Sequence, residues 1–379
     1  MLWRLAAAGA LLLALGSASH AGGTKANGIP FDDDAPPCAA HPNAEVCSYP
    51  APSEREAASE LKQRVFVMVQ NGKFLDVVLK HGNDFTYGRV PEVAGDVETP
   101  LDRIGDGLWG KRLFLPDLDH AVIEIGLANA VGVEPASFSG PHADHLLVKE
   151  GTFPSIEKTT IHSKALNADR DIYVYRGEKC RTTVEGCRII YFADGAEFGL
   201  FLLNQPKEEK EVALKNLVIV GLADPSNDGK AGDPNFSRKR AGELLSVLHQ
   251  PDYARFQNFL TDEVIPAIEK GGKPSARYAA GYSNGGAWAM STMLEHPELF
   301  QGALAFSPGW FEAPQNADGS GHIVWIGSGK LEGAMYRDAQ SYAKILAEMH
   351  ADVRSRYLVG GHNEATWNAL FWWAVGSWN

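Results

Sequence analysis

Ser283 stands in GYSNGG, residues 281–286, between the apolar run RYAA and the run AWAMSTMLEH. G-x-S-x-G between a strand and a helix is the pattern of a nucleophile elbow, where glycines leave room for a tight turn that lifts the hydroxyl above a sheet edge. The helix that follows aims backbone N–H groups at the same spot, so the Asn284 N–H is a candidate donor to an oxyanion. The chemistry is acyl transfer, and it needs a base. Four histidines lie downstream, at 296, 322, 350 and 362. The first closes a helix, the second opens a strand and the third ends another helix. His362 sits in VGGHNEATW, a Gly-rich loop after the strand RSRYLV, where it can be carried over the serine. His362 is the expected base.

An acid that orients the imidazole should fall between serine and histidine in the chain, after the strand HIVWIG. The loop GSGKLEGAMYRD offers Glu332 and Asp338. Asp338 reads as the N-cap or first turn of the helix DAQSYAKIL, whereas Glu332 lies closer to the strand end with no such structural duty, so Glu332 is preferred. Asp318, before that strand, is third choice. A second oxyanion donor is expected in IIYFADGAEFG, from the N–H of Gly195 or Ala196, with Ala196 taken for the site.

Other polar clusters carry less. DPSNDG, with Asp224, Asp228 and Gly229, mimics a calcium loop but has Asn235 where a bidentate Glu is required. His142 and His145 in PHADH, and Asp32 to Asp34, lack further ligands at metal-binding spacing. No metal and no cofactor is expected. Trp310 and Phe311, after SPG, are core residues with a share in a substrate-pocket wall.

Two kinds of element must position these residues. From about Leu61 to Arg176 short alternating runs (VFVMV, FLDVVL, RLFL, AVIEIGL, HLLVKE, TTIHS, DIYVYR) are separated by Gly, Pro, Asn and Asp, which predicts a β-rich, sandwich-like domain, bounded here at 61–165. After Cys187, strands IIYFAD, LVIVGL, RYAAGYS, GALAFS, HIVWIG and RSRYLVG alternate with helical stretches, which predicts a mostly parallel sheet covered on both faces over 166–379. Residues 22–60, with DDDAPP and YPAPSE, read as a solvated linker. The fold class is therefore α/β, preceded by a β-rich domain.

Residues 1–21 carry one Arg, an apolar run from Leu5 to Leu15 and small residues at Ser19 and Ala21. They read as a cleaved secretory signal peptide, too short to span a bilayer, and no later segment reads as a membrane span. A periplasmic or secreted protein follows. Its four cysteines then read as two local disulfides, Cys38–Cys47 and Cys180–Cys187, the latter closing a hairpin. The 379 residues carry 35 Lys plus Arg against 47 Asp plus Glu, a net charge of −12, with no basic block. That excludes a nucleic-acid partner and an anionic membrane surface.

Residues 170–379 resemble the putative esterase family of α/β hydrolases, which includes enterochelin esterases, esterase D, feruloyl and acetylxylan esterases and mycolyltransferases. The likeness rests on YFADGAEF, VIVGLAD, RAGEL with Arg240 and Glu243, FLTDEVIPAIE, AGYSNGG, HPELFQGALAFSPG and GGHNEATWNAL. It implies an α/β-hydrolase fold with Ser283 as nucleophile, His362 as base and Glu332 as acid, Glu standing where many members have Asp. The expected activity is hydrolysis of a small-molecule or glycan ester through an acyl-enzyme. The alternatives are an acyltransferase on the same triad, or a noncatalytic glycan- or siderophore-binding protein.

Overall fold

The computed structural model describes residues 37–40, 47–61, 64, 66–81, 92–95, 99–115, 117–128, 133, 135–143, 155–195, 198–199, 214–225, 234–248 and 250–378. The expected signal peptide, Asp32 to Asp34, the run HLLVKE, Ala196 and residues 226–233 of the calcium-like loop lie outside them. Contacts divide the chain into two compact units: residues up to 147 together with 329–333 and 358–366, and residues 148–328, 334–357 and 367–379.

The smaller unit holds two antiparallel sheets. The first contains β1 (Cys47–Tyr49), β2 (Phe66–Asn71), β3 (Phe74–Lys80), β6 (Asp102–Gly105) and β7 (Leu108–Phe114); the second contains β4 (Glu92–Gly95), β5 (Thr99–Pro100), β8 (Val122–Ala128) and β9 (Ala136–Ser139). Apolar side chains from β3, β7 and β8 bury in one cluster, with Leu75, Val77, Leu113, Ile123 and Ile125 at 0% exposure. Part of the stretch read as linker is ordered here. Helix α1 (Glu54–Leu61) starts at a capping box, in which the Ser53 N–H and hydroxyl donate to Glu56 Oε2 at 2.8 and 2.6 Å. Composition hid it because α1 has only two buried residues, Ala57 and Leu61.

The larger unit is built on one eight-stranded sheet in the order β10-β11-β13-β12-β14-β15-β16-β17. The strands are β10 (Glu157–Ser163), β11 (Ala168–Arg176), β12 (Arg188–Ala193), β13 (Leu217–Leu222), β14 (Ala276–Tyr282), β15 (Gly302–Phe306), β16 (Ile323–Gly329) and β17 (Asp352–Leu358). From β13 through β16 every pairing is parallel, and β11 joins β13 antiparallel. The near-continuous apolar runs follow from this: a central parallel strand buries both faces, and all six residues of β13 are buried. β10 and β11 alternate like the upstream strands, yet they pair at the edge of this sheet. The helices are α2 (Pro234–Leu244), α3 (Gln250–Asn258), α4 (Ile265–Glu269), α5 (Asn284–Glu295), α6 (Ala334–Glu348) and α7 (Glu364–Gly376). Between α3 and α4 a π-helical turn spans Phe259–Val264. Pro266 has no N–H to donate, and the wider turn accommodates it without ending the helix.

Both expected disulfides are present. The Cys180–Cys187 loop is not a hairpin, however. β11 and β12 lie on opposite sides of β13, so the loop is a crossover with a single 3-10 turn at Glu178–Cys180.

Candidate active site

Ser283 follows the carboxyl end of β14 with φ 54° and ψ −128°, and α5 begins at the next residue. For a non-glycine residue this backbone costs roughly 1–3 kcal/mol, which the surroundings must enforce. They do so in several ways. The Ser283 N–H donates to Phe306 O at 2.9 Å, and its carbonyl accepts from the N–H groups of Gly286 at 2.9 Å and Gly309 at 2.8 Å. A Cβ on Gly281 would lie 2.4 Å from the Gly285 carbonyl carbon, so only glycine lets strand and helix approach this closely. Tyr282 stacks on Trp367 at 4.1 Å and 11°, and the Trp367 indole N–H donates to Ser307 Oγ at 2.9 Å. Spacing within the motif announces the glycines. Gly309, Ser307 and Trp367 reach the elbow only through the fold, and sequence reasoning missed those roles.

Glu332 and His362 belong to the smaller unit by its segments 329–333 and 358–366. They follow the carboxyl ends of β16 and β17. The Glu332 side chain is 1% exposed and that of His362 is 19% exposed. Glu332 Oε1 accepts from the Gly329 N–H at 2.6 Å, while Oε2 lies 3.0 Å from His362 Nδ1. In the tautomer that carries its proton on Nδ1, this N–H donates to the carboxylate and Nε2 is left as the acceptor nitrogen. The two loops are joined again where the Leu331 N–H donates to Gly360 O at 3.0 Å. Gly329 is required there, because a Cβ would stand 2.1 Å from the Gly360 oxygen.

The loop after β12 carries Asp194 at φ 56°, 6% exposed. Arg240 on α2 grips its carboxylate with both arms of the guanidinium, Nε to Oδ1 at 2.6 Å and an Nη to Oδ2. Burial pushes the Asp194 carboxyl above its usual range, with Arg240 pulling the other way. One helical turn on, Glu243 pairs with Arg170 in a buried salt bridge. Burial raises the Glu243 carboxyl to about 7 against the pull of Arg170. Arg240 and Glu243 thus tie α2 to the D-G loop and to β11. The three-residue spacing, which places both on one helix face, and the match of RAGEL to the family are the sequence signals for that.

The remaining candidates separate. Asn284 is the first residue of α5, where backbone donors lack intrahelical acceptors. The Gly195 N–H donates to Leu222 O at 2.8 Å, which takes that donor out of the oxyanion choice; Ala196 is outside the described residues. Asp338 is exposed within α6, which starts four residues earlier at Ala334, so it is not the N-cap its sequence setting suggested. Asp318 accepts from the Ser320 N–H at 3.0 Å and hydroxyl at 2.7 Å in a surface turn. His322 has both ring nitrogens within 3.0 Å of the carbonyls of Ser320 and Pro297. Among the described residues no group of three or more His, Cys, Asp or Glu could hold a metal ion, and no helix is long and apolar enough to cross a membrane.

A family model described as Putative esterase matches residues 163–376. The chain belongs to that family. It is an esterase, a hydrolase of ester bonds. Among solved structures it is similar to the enterobactin esterase of Shigella flexneri, at 15% identity and TM-score 0.58, over 86% of this chain and 97% of that one. It is similar also to the ferric enterobactin esterase of Salmonella typhimurium, at 14% identity and TM-score 0.60, over 84% and 97%. A ferulic acid esterase of Anaeromyces mucronatus matches at 16% identity and TM-score 0.46, over 62% and 93%. A search of curated proteins finds no significant match. At these identities the two enterobactin esterases show the fold alone, an α/β-hydrolase-type one with a mixed sheet.

Proposed function

We propose that this esterase is an exported serine hydrolase of carboxylic esters, with Ser283 as nucleophile, His362 as base and Glu332 as the acid that orients it. The observation that carries the reading is the half-buried Glu332–His362 hydrogen bond at 3.0 Å, in loops that follow two strands of the sheet whose β14 ends at the strained Ser283. Such a bond selects the tautomer a base needs and stabilises the imidazolium that forms. Ser283 Oγ attacks the ester carbonyl as His362 takes its proton, and the Asn284 and Ala196 N–H groups hold the oxyanion. Collapse expels the alcohol, which receives the proton from His362. Water, deprotonated by the same imidazole, then attacks the acyl-enzyme and releases the acid. Every step is proton transfer or acyl transfer, so this chain's own groups complete it.

The substrate is a small-molecule or glycan ester. Trp310, 51% exposed, directly follows Gly309, whose N–H holds the Ser283 carbonyl, so its indole supports the reading of a pocket wall beside the nucleophile. Export, with residues 1–21 removed and the mature protein in the periplasm or outside the cell, is supported by both cysteine pairs being disulfides, a state that persists in oxidising compartments.

The test is labelling by a fluorophosphonate together with a panel of esters: enterobactin, after the Shigella flexneri relative, with feruloyl-sugar, acetyl-xylan and short chromogenic esters. Ser283 should be the labelled residue, and Ser283→Ala should lose ester cleavage while melting near the wild type. Labelling at another residue would move the nucleophile away from Ser283, and no labelling of folded protein would favour a noncatalytic binding role.

A further inference from the structure

Both groups of the Glu332–His362 pair are anchored by residues of the smaller unit. Leu331, directly before Glu332, is 5% exposed, and Val359, three before His362, is 3% exposed. Both side chains lie in the buried cluster that contains Leu118, Ala121, Ile123 and Leu75. The backbone is fixed as well, because the Val122 N–H donates to Val359 O at 2.9 Å. Val122 is the first residue of β8 and has no exposed surface. Lys330 and Asp117 add an ion pair at 3.9 Å, which is exposed and of little weight.

We propose that residues 118–123 of this unit are a positioning element for acid and base, resting on the assignment of Glu332 and His362 to those roles. Beyond the hydrogen bonds the two loops make to each other, both rest on one apolar cluster and on the Val122–Val359 hydrogen bond, so the element sets where the imidazole stands. Orientation is steep in its effect on rate: a displacement of about 1 Å costs on the order of a hundredfold. The β-rich unit then contributes to turnover itself, including turnover of esters too small to touch any specificity surface. Ordinary core packing makes the opposite forecast. If 329–333 and 358–366 merely cover the nearest apolar surface, mutations beneath them lower stability in proportion to volume lost and leave the rate of folded protein unchanged.

The experiment uses the full chain with a small chromogenic ester, well below the melting temperature. Val122→Pro deletes the N–H that donates to Val359 O. Proline is tolerated at the first residue of a strand, and Ala121, at φ −76° and ψ 145°, has the backbone a residue before proline adopts. We expect kcat to fall by about tenfold or more with KM changed by less than about twofold, the signature of a lost transition-state interaction. The strongly downfield proton resonance of His362 Nδ1–H should broaden or vanish. Leu118→Ala should act in the same direction, and Leu118→Met, which restores the volume, should recover the rate. Val67→Ala is the control. Val67 is 3% exposed in a separate cluster of the same unit, with Ala57, Leu61, Val78 and Leu108, so it should lower the melting temperature without lowering kcat. The proposal is overturned if folded Val122→Pro and Leu118→Ala both keep kcat within about twofold of wild type, or if Val67→Ala lowers kcat as much as they do. Should Val122→Pro fail to fold, the Leu118→Ala and Leu118→Met pair decides. Glu332→Gln is run in parallel: if it stays active the triad reading falls and the proposal with it, whereas an inactive Glu332→Gln beside active Val122→Pro and Leu118→Ala removes the positioning role alone.

Discussion

Replacing Glu332 by Gln tests the chemistry with the least disturbance of shape. The carboxylate is used at both oxygens, Oε1 by the Gly329 N–H at 2.6 Å and Oε2 by His362 Nδ1 at 3.0 Å, and the side chain is 1% exposed. A carboxamide has one acceptor and one NH2 group. Placing its NH2 toward Gly329 would oppose two donors in a buried site, a penalty of about 1–3 kcal/mol. The oxygen therefore stays on Gly329, and the NH2 faces Nδ1. That nitrogen must become the acceptor, the ring proton moves to Nε2, and the imidazole can no longer take a proton from serine. In the serine-protease triad the equivalent carboxylate-to-amide change costs about 10⁴ in kcat, some 5.5 kcal/mol in the barrier. With the geometry above we expect kcat/KM for a short chromogenic ester to fall by about 10²–10⁴. The fold should lose little, about 1 kcal/mol for one charge-assisted bond, or a few degrees in melting temperature for a unit of this size. Asp338→Asn, exposed on α6, is the matched comparison and should leave the rate within about twofold. A Glu332→Gln enzyme within about tenfold of wild type, or an Asp338→Asn enzyme that is the slower of the two, would refute the assignment.

Two further outcomes follow from other parts of the structure. Cys180 and Cys187 are 0% and 3% exposed within the core of the larger unit, so Cys180→Ser with Cys187→Ser should cost about 2–3 kcal/mol and lower the melting temperature by roughly 5–10 °C; an unchanged melt in non-reducing buffer would contradict this. Glu243 sits near 7 in the folded chain against 4.5 for an unperturbed carboxyl, so the native state binds more protons between those values. Its contribution to stability must fall as pH rises through that window, by at most about 1.4 kcal/mol per pH unit. Denaturant melts from pH 4.5 to 8 should show this slope, and the double variant Arg170→Met, Glu243→Met, which removes both buried charges, should flatten it. A variant that keeps the slope would place its origin elsewhere.

Much of the site is legible in the chain because its determinants are local. A tight strand-to-helix turn needs small residues at fixed offsets from the residue at its tip, so GYSNGG marks Ser283 as the candidate without reference to anything distant. Central parallel strands are buried on both faces, so LVIVGL and GALAFS read as continuous apolar runs. The elimination of the other histidines also rested on local features, and the structure places His296 and His350 at helix ends and His322 at a strand start. Cysteines seven and nine residues apart close with little loss of chain entropy, which is why both pairings could be read directly.

What the chain could not disclose depends on partners far away in sequence. Period-2 alternation is the same for any strand with one covered face, so nothing in TTIHS or DIYVYR says that β10 and β11 pair with the eight-stranded sheet. The Cys180–Cys187 loop looks like a hairpin until β13, thirty residues later, is placed between the strands that flank it. The preference for Glu332 over Asp338 rested on Asp338 reading as the N-cap or first turn of a helix and on Glu332 lying closer to the strand end; the helix instead starts at Ala334, and only the tertiary structure places the Glu332 carboxylate between the Gly329 N–H and the imidazole. The anchoring of that pair on Val122 and Leu118 joins residues more than 200 positions apart. No residue pattern encodes such a contact, because an apolar side chain in a cluster has no preferred partner type, and only the packed chain decides which surfaces meet.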